Sequence, residues 1–178
     1  MLSTAPSTRA TVTRHIDAPI GTVFSLIADV HSWPRWGPFT DTGTPTHTDR
    51  PGVPDTIRLG RRRLRVALSS PDAPYWVRYR LTGGLARAQH TAEVTLSPTD
   101  DGGTDLHWRA TPTRHLPGTA RRRAAALEAA VARLAAQLAS AAEDPATTRA
   151  EWARAGHDGA TAALRSPAVV PAGNAVAA

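Results

Sequence analysis

Residues 11–36 read TVTRHIDAPIGTVFSLIADVHSWPRW, and this stretch decides the fold. Over residues 11–17 the apolar Val12 and Ile16 fall on one side and Thr11, Thr13 and His15 on the other, the period-two pattern of a half-buried strand. Ala18-Pro19 ends that strand, and Pro19 suits the first turn of a helix, where its missing N–H would have no partner anyway. Val23, Phe24, Ile27 and Val30 then recur at three- and four-residue spacing, which predicts a short helix over residues 20–28. Residues 29–38 crowd Trp33, Trp36 and two prolines together, breaking regular periodicity and concentrating aromatic area in a loop.

Downstream, the chain reads as strands separated by turn signals, over residues 40–48, 56–60, 63–69, 75–81, 89–97 and 104–111. Prolines, Gly83-Gly84 and Asp101-Gly102-Gly103 lie between them, so an antiparallel meander is the economical interpretation. Alternation turns Ile57, Leu59, Leu64, Val66 and Leu68 to one face, followed by Tyr75, Val77, Tyr79 and Leu81. His90, Ala92, Val94, Leu96, Leu106, Trp108 and Ala110 continue that face, while Arg58, Arg78, Arg80, Glu93 and Arg109 fall on the other. An apolar sheet face needs a cover, and the Ala-rich helix expected over residues 117–142 supplies one through Leu127, Val131, Leu134 and Leu138. Its first half offers mainly alanines, which predicts a hollow at that end of the sheet. Residues 1–10 read as a flexible N-terminus, residues 11–142 as the folded domain and residues 143–178 as an Ala/Pro-rich appendage. Within the appendage a short helix around Trp152 and disorder beyond Pro167 are expected.

The 178 residues suit one domain, and 41% hydrophobic content provides a core. Cysteine is absent, which excludes disulfide scaffolds, thiolate metal sites and cysteine nucleophiles together. No apolar run is long enough to span a membrane and the N-terminus has no apolar signal core, so a cytoplasmic soluble protein is expected. The net charge of +6 comes entirely from arginine, a skew that a GC-rich genome generates without selection for nucleic acid. Basic stretches also lack the interleaved aromatics of nucleic-acid readers. Clusters at Arg61-Arg62-Arg63 and Arg121-Arg122-Arg123 read as solvated faces, with an anionic partner as the alternative. The seven histidines are scattered without metal-ligand spacing, and Walker A, G-x-G-x-x-G and G-x-S-x-G motifs are missing. No metal and no cofactor is implied.

Ile16-Asp17-Ala18-Pro19, Val23-Phe24, Leu26, Asp29-Val30, Trp33-Pro34-Arg35-Trp36, Ala92-Glu93-Val94-Thr95-Leu96 and Trp108-Arg109-Ala110-Thr111 stand in an order that resembles one known group. That group is the polyketide cyclase/dehydrase and lipid-transport branch of the START-like, helix-grip superfamily, also called SRPBCC. The resemblance spans residues 11–142. It implies an α+β fold, a curved antiparallel seven-stranded sheet wrapped around a long C-terminal helix, with short helices after the first strand. It also implies a pocket between sheet and helix that takes a hydrophobic small molecule, with members ranging from cyclases to passive carriers. For the aromatic-polyketide cyclases it implies a pocket Arg and hydroxyls that polarise a poly-β-ketone, in secondary metabolism of the antibiotic kind. The Arg-rich helix and tail leave a third reading open, an interaction module that docks on an acyl carrier protein or synthase. Here the chain departs, because the inward positions over residues 63–69 are Leu64, Val66 and Leu68.

Within the expected pocket His90 is the acid/base candidate, since imidazole alone titrates near neutral pH, with a satisfied or exposed strand-end histidine as the other reading. Tyr79 is the candidate donor to a substrate carbonyl, with a core tyrosine satisfied by its neighbours as the other reading. Trp33, Trp36 and Phe39 line the pocket mouth or pack in the core, and Leu64, Val66, Tyr75 and Trp108 complete the expected lining. Cyclisation with dehydration is the leading expectation, and a non-catalytic carrier of a lipid-like ligand the alternative. A monomer or a homodimer is compatible with the sequence.

Overall fold

The computed structural model describes residues 9–46, 56–59, 64–83, 89–113 and 120–146. Strand β1 (Ala10–Ile16) leads into α1 (Ile20–Ala28), a single 3-10 turn (Val30–Ser32) and the short α2 (Trp33–Trp36). Six strands follow: β2 (Thr42–Thr46), β3 (Thr56–Leu59), β4 (Leu64–Asp72), β5 (Trp76–Gly83), β6 (His90–Pro98) and β7 (Thr104–Pro112). The long α3 (Ala120–Ala142) closes the described chain apart from its last few residues. The sheet order β1-β7-β6-β5-β4-β3-β2 makes β2 to β7 an antiparallel meander, with β1 added beside β7. This is the helix-grip architecture expected of the sequence.

Helix α1 forms where its apolar stripe buries Val23, Leu26 and Ile27, and Pro19 precedes its first turn, accepting from Thr22 N at 2.9 Å. Residues 29–38 hold more regular structure than a loop. Asp29 accepts from His31 N at 2.9 Å to start the 3-10 turn, and Pro34 sits in the first turn of α2, where it costs no hydrogen bond. The apolar alternation is realised on the inner sheet face, where Val66, Val77, Leu81, Ala92, Val94, Leu96, Leu106 and Ala110 are buried. Helix α3 lies along β1 and β7 and also meets α1 and α2. Its Val131, Ala135, Leu138, Ala139 and Ala142 are wholly buried there.

Tyr75 departs from the alternation. Its N–H donates to Asp72 O at 2.8 Å and closes a tight turn before β5, and the pairing of β4 with β5 shifts between Ser69 and Asp72. A turn residue does not follow the strand's two-residue period, so Tyr75 is 48% exposed instead of inward. Trp76 keeps to the outer face, half-buried beneath the Arg78 guanidinium, which stands 5.3 Å from its ring centre. Thr104 is fully buried and donates to Ala18 O at 2.7 Å, tying β7 to the β1–α1 connection. Arg61-Arg62-Arg63, the N-terminal residues 1–8, the helix around Trp152 and the tail beyond Pro167 lie outside the described residues.

Candidate ligand-binding site

Register sets the site. Leu68 stands opposite Tyr79, Tyr79 opposite Ala92, and Leu81 opposite His90, so Tyr79 and His90 are diagonal neighbours on the inner faces of β5 and β6. Tyr79 is 1% exposed and His90 6%. Their rings meet edge to face at 5.6 Å, with Tyr79 Oη 3.2 Å from His90 Nε2. Trp108, inward on β7, donates from Nε1 to the same Oη at 3.2 Å. Indole N–H is only a donor, so Oη accepts from Trp108, which leaves the phenol hydrogen available to His90 Nε2. Burial raises the Tyr79 phenol far above its usual range, against a smaller lowering by the Trp108 bond, so it stays protonated and acts as a donor.

Trp33 stacks edge-on against Tyr79 at 5.4 Å, and Phe39 lies 5.5 Å from Trp33. The indole N–H groups of the loop tryptophans are engaged internally. Trp33 donates to Ile27 O at 2.9 Å, and Trp36 to Leu26 O at 3.1 Å and to Ser32 Oγ at 3.2 Å. These bonds fold α2 back over the sheet and fill the space above Tyr79 with aromatic rings. Trp33 and Trp36 are therefore buried core members, of which Trp33 roofs Tyr79, and Phe39 remains half-buried beside Trp33.

Beyond the aromatic roof the inner face of β3 and β4 is covered less completely. Val66 is buried, whereas Ile57, Leu64 and Leu68 are only partly buried. On the first half of α3, Ala124 is half-buried and Ala125 and Ala126 are exposed, whereas the second half has a wholly buried stripe of Val131, Ala135, Leu138, Ala139 and Ala142. Apolar surface is thus left at the β3–β4 side rather than beneath the second half of α3. Of the residues expected to form the site, the fold brings Tyr79, His90, Trp108, Trp33 and Phe39 into one contact chain. Trp36 joins through Trp33, Leu64 and Val66 stand on the adjoining apolar face, and Tyr75 is excluded by its turn. The Trp108 donor role escaped the sequence reading. The signal was present, because Trp108 pairs with Val94, which pairs with Val77, two residues from Tyr79 on the same face.

Among the described residues no group of His, Asp and Glu is arranged to hold a metal ion, and no helix is long and apolar enough to cross a membrane. Searched against curated proteins, the chain has no match. Several solved structures share its fold. A Nitrosospira multiformis protein superposes with a TM-score of 0.59 at 15% identity, covering 78% of this chain and 98% of its own. A START superfamily protein from Mycobacterium smegmatis gives 0.57 at 16%, covering 76% and 97%. DynU16, a protein in the dynemicin biosynthetic locus, gives 0.56 at 15%, and the match covers 76% of this chain and 47% of DynU16. At these identities the likeness concerns the fold. The family described as polyketide cyclase / dehydrase and lipid transport matches residues 7–143, most of the chain and all of the sheet, and to that family this protein belongs.

Proposed function

We propose that the protein binds a hydrophobic, polyketide-like metabolite against the inner face of its sheet and that the Tyr79–His90 pair acts on it in cyclisation and dehydration. The observation that carries this reading is the 3.2 Å contact between Tyr79 Oη and His90 Nε2, a buried polar pair among apolar side chains of the inner sheet face. Breaking that single bond frees a neutral imidazole lone pair and a phenol hydrogen side by side. A 1,3-dicarbonyl compound placed between them meets a base for its acidic methylene proton and a donor for the enolate oxygen. His90 Nε2 takes the carbon-bound proton and Tyr79 keeps its own while hydrogen-bonding the enolate. The enolate carbon attacks a second carbonyl, and the imidazolium returns its proton to the resulting alkoxide. His90 Nε2 then takes the remaining α-proton, and the imidazolium gives it to the departing hydroxyl, which leaves as water. Proximity in the folded chain of the substrate supplies the rest of the acceleration. An acyl carrier protein or synthase would deliver such a substrate, and a cytoplasmic setting fits this partner.

A second reading, non-catalytic carriage of a lipid-like ligand, is favoured by a specific fact: in the resting structure Tyr79 Oη already has both Trp108 and His90 as partners. Native mass spectrometry of the purified protein, followed by incubation with a poly-β-ketone thioester, separates the two. Catalysis predicts a cyclised product and a loss of turnover of about tenfold or more in His90→Ala and Tyr79→Phe, given the usual size of general acid–base effects. Carriage predicts the ligand returned unchanged and bound equally by both variants. A thermal melt of each variant shows whether it is folded.

A further inference from the structure

The outer face of the same sheet carries an open groove of about 570 Å³ over β1, β7 and β6. Two adjacent rows of the ladder build it. Thr13 pairs with His107 and His107 with Thr95, while His15 pairs with Asp105 and Asp105 with Ser97. Arg109, one outward position beyond His107, adds a guanidinium. The volume is that of a small-molecule site.

The groove's charges are sorted by their partners. Asp105 is held by His15 Nδ1 at 3.0 Å, and His15 Nε2 is 3.4 Å from Asp101, itself fixed by Gly103 N at 3.0 Å. Gly103 is needed there, because a Cβ would stand 2.8 Å from His15 Cε1. On the other side, Glu93 lies in register between Arg78 and Arg109, and its carboxylate is bonded to Arg78. Arg109 is thereby left without a carboxylate. Among the described residues neither the Arg109 nor the His107 side chain has a hydrogen bond or ion pair. A guanidinium, an imidazole and the hydroxyls of Thr13 and Thr95 therefore share one concave surface.

We propose that this groove binds the phosphate group of a phosphate monoester, anchored by Arg109 and bonded by His107, Thr13 and Thr95. The Arg109 fork, the imidazole and two hydroxyls offer more donors than the two oxygens of a carboxylate accept, and they suit the three terminal oxygens of a phosphate. The hydroxyl of Ser97 and the ring of His15 leave a polar bed for the rest of such a molecule.

The test is a titration of the isotope-labelled full chain, followed by amide and imidazole NMR, with glycerol 3-phosphate, inorganic phosphate and glycerol. Saturable shifts confined to residues 13, 95, 107 and 109 are expected, with a Kd of about 1 mM or tighter for glycerol 3-phosphate. Inorganic phosphate should bind more weakly, and glycerol alone should not bind. Arg109→Ala and, separately, Thr95→Val should each weaken binding, the first by about tenfold or more. Both positions are exposed, and unchanged melting curves identify folded variants. Absence of saturation, unchanged affinity in Arg109→Ala, or equal shifts at Arg58 and Arg65 would overturn the site. Inorganic phosphate binding as well as the ester would overturn the assignment to a monoester.

Discussion

The two faces of one sheet use histidine in opposite ways. On the inner face His90 is buried and its Nε2 meets a neutral phenol, which is itself held by an indole. On the outer face the His15 side chain is 46% exposed and lies between two carboxylates. Burial makes an ionic partnership expensive and favours neutral, mutually satisfied groups, whereas solvent tolerates charge and weakens each pair. The inner cluster therefore ties three strands together through buried neutral groups, and the outer one stays within reach of solvent.

The largest expected effect of breaking the inner arrangement comes from Trp108→Ala. It removes a buried indole and the donor to Tyr79, and equilibrium denaturation should register a loss of about 3–5 kcal/mol. Next comes Tyr79→Phe, which keeps the ring and its packing but leaves the Trp108 N–H and His90 Nε2 without this partner. A cost of about 1–3 kcal/mol is expected, and a neutral result would show that the polar chain contributes nothing to folding. Glu93→Gln sharpens the contrast from outside. The Arg78–Glu93 pair is half exposed, so thermal unfolding should change by only about 0–1 kcal/mol.

The smallest effect belongs to His15, and its sign is fixed by linkage. The bond to Asp105, with attraction from Asp101, raises its pKa above the ordinary 6.5. Its stabilisation is complete below that ordinary value and fades as pH rises through the higher folded-state value. Asp101 behaves in the opposite sense. Its bonds from Thr99 and the Gly103 backbone lower its pKa, so its share is present above the unfolded carboxylate value and is lost in acid. Melting temperatures followed from mildly acid to mildly alkaline pH should fall slightly in the parent protein. In His15→Ala that slope should flatten, and an unaltered slope would assign it to another group.

Much of the fold was legible before any coordinates. Helix α1 begins and ends where its apolar spacing and Pro19 placed it, and each expected strand is present with ends moved by a few residues. Alternation also put Tyr79, His90 and Trp108 on one face. It failed at Tyr75, where a tight turn replaces the strand period, and it missed the helical turns after Asp29, whose signal was a capping aspartate and an early proline. Both misses arise from backbone hydrogen bonds closed over a few residues, which side-chain hydropathy does not report.

Periodicity by itself determined an antiparallel sheet covered by a long helix and which residues share a face, because burial of apolar surface follows directly from residue order along a strand or helix, and the resemblance over residues 11–142 supplied the helix-grip class. Tertiary structure alone decided that Trp108 bonds Tyr79 and Tyr79 meets His90. It also decided that Glu93 is bonded to Arg78 and leaves Arg109 free above a groove. The reason is geometric. Hydrogen bonds and ion pairs depend on distances of a few ångströms between residues far apart in sequence, and only the pairing of one strand with the next sets those distances.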